Sequence, residues 1–197
     1  MKNIAIFASG NGSNAQNIIE HFNATNIARI KLIICNKPDA YVLERAAALN
    51  VPSVVLPKEE LTNETPAALL SLLEEQQIHY IVLAGYLLKI PALLTEVYSR
   101  RIINIHPALL PKFGGKGMYG QYVHKAVIEA KERESGITIH LVDAVYDNGT
   151  ILAQASCPVL ESDTPETLAD RIHALEKEHF AVTIEGYIKQ DWPRTNV

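Results

Sequence analysis

Asn104 and His106 lie two residues apart in Asn104-Ile105-His106-Pro107-Ala108-Leu109-Leu110-Pro111. The stretch begins in an apolar run (Ile102, Ile103, Ile105) that reads as a buried strand, and it ends at prolines that cannot extend a ladder. Strand residues two apart share a face, so the carboxamide and the imidazole should project together. Burying either one unpaired costs roughly 1–3 kcal/mol. Imidazole titrates near neutrality and a carboxamide both donates and accepts hydrogen bonds, so proton transfer and ligand recognition would explain the pair. A lone strand histidine is more often structural; the neighbouring Asn and the proline-terminated strand favour chemistry.

Three other segments could share that chemistry. Ser9-Gly10-Asn11-Gly12-Ser13-Asn14-Ala15 stands between a strand and a helix, where glycines allow a tight turn and free N–H groups can grip an anion. It formally fits a dinucleotide fingerprint, but the second strand ends Cys35-Asn36-Lys37, without the carboxylate that holds a ribose. No Gly-Lys-Ser/Thr follows, so it is not a P-loop. A mononucleotide or sugar phosphate remains, against a plain turn capped by Ser13. Asp143-Ala144-Val145-Tyr146-Asp147-Asn148-Gly149 reads as hairpin chemistry by itself. Beside Asn104 and His106, a carboxylate from it would orient and charge the imidazole. That influence is expected to outweigh burial and to lift the His106 pKa above 6.5. Val82–Ile90 lies at the C-terminal end of a strand, where ligands of open parallel sheets bind, and its apolar residues could wall a flat aromatic ligand or pack as core. His21, His79, His124, His140, His173 and His179 show no metal spacing and read as surface or satisfied core groups, with His140 the one expected to be buried.

The elements that must position these residues alternate. Strands are expected at Ile4–Ala8, Ile30–Cys35, Val51–Leu56, Tyr80–Leu83 and Ile102–His106. Helices are expected at Ser13–Phe22, Tyr41–Leu49, Pro66–Gln76 and Pro91–Tyr98. Continuous apolar strands argue for a parallel sheet covered on both faces. After the glycine-rich loop Phe113–Gly120 comes a helix, Val123–Lys131. Strands Ile137–Val142 and Thr150–Val159 follow, joined by too short a connection for a parallel crossover, so they should pair antiparallel. Thr164-Pro165-Glu166 opens a last helix running to about Lys189. The fold class is α/β: a Rossmann-like, mostly parallel sheet with helices on both faces and an antiparallel C-terminal hairpin, in one domain over 1–197.

Bulk properties narrow the function. With 197 residues, 48% hydrophobic and 20% charged, the chain is an ordinary globular one. A net charge of −4 argues against a nucleic-acid partner. Two distant cysteines, Cys35 and Cys157, speak for a reducing compartment and against a thiolate metal site. The N-terminal apolar run is too short for a signal peptide and no stretch reaches membrane-span length, so a cytoplasmic protein without a membrane partner is expected.

Taken together, the Gly-Asn-Gly-Ser-Asn loop, Lys37-Pro38-Asp39-Ala40 with Leu43-Glu44-Arg45-Ala46, Val82-Leu83-Ala84-Gly85-Tyr86, Asn104–Pro111 and Asp147-Asn148-Gly149-Thr150-Ile151-Leu152 carry a resemblance. They resemble the phosphoribosylglycinamide formyltransferases, folate-dependent enzymes of purine synthesis, across essentially the whole chain. Asn-Ile-His-Pro marks the wider formyltransferase superfamily, and the glycine loop its glycinamide ribonucleotide branch. The resemblance implies transfer of the formyl group of 10-formyltetrahydrofolate, as cosubstrate, to the amine of 5-phosphoribosylglycinamide, without a metal. It makes Asn104, His106 and Asp147 the catalytic trio, with Gly12, Ser13 and Asn14 on the substrate phosphate and Glu176 on the ribose. Leu87, Leu88, Lys89 and Ile90, with Asn104 and Asp143, Ala144, Val145, Tyr146 and Asp147, would bind the folate. Leu87-Leu88 stands where many members have Met-Arg, and loop 113–120 is longer than in many relatives. Residues 1–100 would be a phosphate-binding half and 101–197 a catalytic and folate-binding half, in a monomer or weak homodimer. The rivals are tRNA-directed or hydrolytic folate enzymes, for whose extra domains this chain has no room, and a nucleotide-sensing module without chemistry.

Overall fold

The computed structural model describes residues 1–190; the last residues, 191–197, of the expected domain lie outside the described ones. The elements run β1 (Lys2–Ala8), α1 (Ser13–Asn23), β2 (Ala28–Cys35), α2 (Val42–Ala48), β3 (Ser53–Val55), α3 (Lys58–Leu61), α4 (Ala67–Glu75), β4 (Tyr80–Leu83) and α5 (Ala92–Val97). They continue with β5 (Ile102–His106), α6 (Gln121–Glu129), β6 (Glu134–Leu141), β7 (Ile151–Pro158) and α7 (Pro165–Lys189). One sheet of order β3-β2-β1-β4-β5-β6-β7 holds all the strands. The first five in that order are parallel, and β6 runs antiparallel to both β5 and β7.

Central strands covered on both faces must be apolar throughout, and β1 is: Ile4 through Ala8 are all fully buried. Alternate residues feed opposite cores. Ile4, Ile6 and Ala8 pack with α1 (Ile18, Ile19, Phe22) and α7 (Phe180, Ile184). Ala5 and Phe7 pack with α4 (Leu69, Leu73) and α5 (Leu94). α7 starts where Thr164 accepts a hydrogen bond from the Thr167 N–H while the Thr167 hydroxyl accepts from the Thr164 N–H, with Pro165 in the first turn. No helix among the described residues is long and apolar enough to cross a membrane.

Chain order reverses at β1, which has β2 on one side and β4 on the other. Connections leave such a point in opposite directions and open a crevice beyond the strand ends. The loops at its rim are tied together: Ser9 N–H donates to the Gly85 carbonyl (3.1 Å) and Leu87 N–H to the Ser9 hydroxyl (3.1 Å).

Candidate active site

A cleft of about 540 Å³ opens at that crevice. Every residue that the resemblance assigned to a site reaches it: Gly12–Asn14 at the start of α1, Leu87–Ile90, Asn104, His106, Asp143–Asp147 and Glu176.

The β5–β6 pairing builds its floor. The register sets Asn104 opposite His140 and His106 opposite Thr138. The Thr138 hydroxyl donates to the Ala108 carbonyl (2.7 Å) and accepts from Leu110 N–H (3.0 Å), which fixes the chain leaving β5. The Leu110–Pro111 peptide is cis, and Phe113 follows with φ of 56°, a left-handed backbone unusual for a bulky residue. That turn brings the Phe113 carbonyl back to within 2.8 Å of His106 Nε2. A carbonyl can only accept, so Nε2 carries the proton and Nδ1 is the nitrogen left for chemistry.

Nδ1 faces Asp147 Oδ2 at 3.7 Å. The same oxygen accepts from Gly115 N–H (2.8 Å), and Asp147 Oδ1 lies 3.6 Å from His140 Nε2. Burial pushes the Asp147 carboxyl up, but the His140 ring, the Gly115 N–H and the neighbouring His106 ring bring it below the ordinary carboxylate value. His140 Nδ1 donates to the Leu141 carbonyl (2.9 Å), so its Nε2 offers a lone pair to the Asn104 Nδ2 amide at 3.1 Å. One N–H of Asn104 is thereby held, and the other is free to turn into the cleft.

The expectation that Asp147 would lift the His106 pKa above 6.5 is overturned. The net shift is downward: burial dominates, Asp147 and the Phe113 carbonyl oppose it, and His140 adds to it. His106 is only 3% exposed, and the carboxylate that faces it divides its field with Gly115 and His140. The ring is therefore predominantly neutral at pH 7. Asp147 itself sits at φ 52°, which Asn tolerates equally well. Asp147→Asn should keep the fold, lower the His106 pKa further and lower turnover by about tenfold, the rate equivalent of one pKa unit. An NMR titration showing an unchanged His106 pKa would mean that Asp147 exerts no charge on the ring.

At the other end of the cleft, α1 begins without help from a side chain. Gly12, not Ser13, is its N-cap, in the left-handed region at φ 79°; no side-chain oxygen caps the helix and its first turn has no acid. The free N–H groups there suit an anion. Gly12 has a second duty: a Cβ would meet the Val42 side chain at 2.6 Å, so its bareness lets α2 pack. Arg45 of α2 holds the loop, donating to the Asn11 carbonyl (2.9 Å) and to its Oδ1 (3.0 Å). Asn14 Nδ2 donates to Glu176 Oε2 (2.9 Å), joining the two substrate-side candidates. Burial raises the Glu176 carboxyl, opposed by that donation and by His173.

The apolar end combines Leu83, Leu87, Leu88, Ile90 and Val142 with the 143–147 turn, which Asp143 closes by accepting from Val145 N–H (2.8 Å). Ile90 is buried, whereas Leu87, Val145 and Tyr146 are exposed at the mouth.

His140 is buried as expected, but its contacts with Asn104 and Asp147, the Phe113 carbonyl and the Gly115 N–H were not foreseen from the sequence. The last two are backbone groups and have no residue signature. The contacts of His140 became legible only with the β5–β6 register.

The family model described as formyl transferase matches residues 2–184. This chain belongs to the formyl transferase family. Among its relatives in the family, a phosphoribosylglycinamide formyltransferase of Bacillus subtilis is 39% identical, over 94% of either chain. The chloroplastic phosphoribosylglycinamide formyltransferase of Arabidopsis thaliana is 44% identical over 90% of this chain, which spans 62% of that relative's length. The crystal structure of the Bacillus halodurans phosphoribosylglycinamide formyltransferase, 35% identical, superposes with a TM-score of 0.87 over 96% of both chains. Its formyl transferase fold is the mixed sheet described above.

Proposed function

We propose that this protein transfers the formyl group of 10-formyltetrahydrofolate to the amine of 5-phosphoribosylglycinamide, in purine biosynthesis, giving formylglycinamide ribonucleotide and tetrahydrofolate. One observation carries the reading: a single cleft runs from the uncapped start of α1, past Asn14 and Glu176, to Asn104, His106 and Asp147, and on to an apolar pocket. The names of the relatives support it. A nucleotide-sensing module would leave the Asn104–His140–Asp147–His106 set without a purpose.

In this reading Gly12, Ser13 and Asn14 hold the phosphate and Glu176 the ribose. The pterin lies against Leu87, Leu88, Ile90 and the 143–147 turn, with Lys89 at the rim. The substrate amine attacks the formyl carbon, and the free N–H of Asn104 stabilises the oxyanion that forms. Neutral His106 takes the proton from the attacking nitrogen at Nδ1, and Asp147 steadies the resulting imidazolium. His106 then gives that proton to the departing folate nitrogen as the C–N bond breaks, so it ends neutral. The scheme uses no metal ion and no nucleic-acid or membrane partner. It assigns residues 1–100 mainly to the phosphate and 101–197 to the chemistry and the folate, within one domain acting as a monomer or weak homodimer. Two buried free thiols, Cys35 and Cys157, suit a reducing, cytoplasmic setting.

The direct test incubates the purified chain with both substrates and follows loss of the folate formyl group and gain of formyl mass on the ribonucleotide. Loss of formyl that does not depend on the ribonucleotide would overturn the reading. Ser13→Glu tests the phosphate end. Ser13 is exposed in the first turn, where an acid favours the helix by about 0.3–1 kcal/mol. The new charge should leave melting temperature unchanged or higher and raise the KM for ribonucleotide about tenfold or more by repulsion. An unchanged KM would move the phosphate elsewhere.

A further inference from the structure

His124 belongs to neither group of residues described so far. It lies on α6, is 3% exposed, and forms part of the cleft wall. Its Nδ1 is sealed off with no hydrogen-bond partner among the described residues. A buried polar atom without a partner is uncommon and costly enough to need an explanation.

The ring's electrostatics narrow what it can do. Burial, with His173 and His106 adding to it, holds the His124 pKa down to about 4, so at pH 7 the ring is neutral and has one N–H. A proton on sealed Nδ1 would be a buried unpaired donor. Placed on Nε2 it meets the cleft, and Nδ1 is left as a buried lone pair. The ring is thus set as an Nε2–H donor. Its position follows from the two histidines beside it. His106 marks the reacting end, and His173 lies three residues before Glu176 on the same face of α7. His124 therefore stands between the reacting end and the phosphoribosyl end.

Resting on the formyl-transfer reading, we propose that His124 binds the ribonucleotide, donating Nε2–H to an uncharged oxygen between its phosphate and its amine. A neutral donor suits a hydroxyl or carbonyl oxygen. A phosphate dianion would instead draw a proton onto the ring. The contact fixes the middle of the substrate and so aims the amine at the formyl carbon.

Two substitutions separate this role from packing. His124→Phe keeps the shape, removes the donor and removes the unpaired Nδ1. It should melt at the same or a higher temperature, yet lose about tenfold in kcat/KM for ribonucleotide with the folate KM unchanged, the scale of one uncharged hydrogen bond. His124→Gln places an N–H near the Nε2 position and should recover part of that loss despite a lower melting temperature. A packing role predicts the opposite order, with Phe the more active, and wild-type kcat/KM in the Phe variant would overturn the proposal. A second readout needs neither variant nor catalysis. In wild-type protein with ¹⁵N-labelled histidine, adding 5-phosphoribosylglycinamide should shift His124 Nε2 while the ring stays neutral, and inorganic phosphate alone should not. Protonation of the ring by either ligand, or no shift with the ribonucleotide, would overturn it. Failure of wild-type protein to transfer formyl would sink the functional reading, while the NMR result would still decide this contact.

Discussion

His106→Ala should lower turnover by at least about a hundredfold, because the ring that carries the amine proton to the leaving nitrogen in the proposed mechanism is gone. The acid side of the pH profile gives a second signature. Burial lowers the His106 pKa, so the neutral form that the proposed mechanism needs predominates at pH 7 and is lost as pH falls towards the depressed value. Wild-type kcat/KM should therefore be flat through neutrality and decline on the acid side, and the residual activity of the alanine variant should lack that His106-linked decline. Asp147→Asn should move the decline to still lower pH. The sign for stability is the same: a histidine with a depressed folded pKa binds its proton more readily when unfolded, so below pH 6.5 it favours unfolding. Near-wild-type turnover in folded His106→Ala protein would remove the ring from the mechanism.

Asn104→Ala should cost about 10²–10³ in kcat, the scale of one lost oxyanion donor. The loss should fall on kcat with little change in either KM, since the charge that Asn104 meets in the proposed mechanism exists only in the transition state. The substitution also strips His140 Nε2 of its partner, which costs stability on the order of 1–3 kcal/mol. Melting curves therefore belong beside the kinetics. A rise in KM at constant kcat would reassign Asn104 from catalysis to ground-state binding.

Long apolar runs and caps made most elements legible. β4 and β5 were read to the residue, and the Thr-Pro start of α7 likewise, because burial on both faces and a Pro-led first turn leave local marks. β3 was overextended, since Val51 and Leu56 are apolar for packing rather than for pairing. The one-turn helix Lys58–Leu61 was not seen, being shorter than any periodicity. Asn104 and His106 were found because strand alternation put them on one face. His140 is the buried, satisfied group that its strand position suggests, but its place beside Asn104 and Asp147 depends on the register between strands, a property of the folded sheet. The direction of the His106 pKa failed for a related reason. Sequence displays charges but not depth, and depth won.

The tie between α1 and α7 has a consequence for how the protein is made. Asn14 reaches Glu176, Asn17 the Lys177 carbonyl and His21 Glu185, at separations of 160 to 164 residues. A ribosome adding roughly 5–20 residues per second needs about 8 to 32 s to span that interval. For most of it, α1 is outside the ribosome while the helix that covers Ile18, Ile19 and Phe22 has yet to be made. Its apolar side is then open to chaperones or to neighbouring nascent chains, and the loop at the start of α1 gains its tie to Glu176 only when α7 docks. Slowed elongation ahead of α7 would lengthen the aggregation-prone interval without changing any contact of the finished protein.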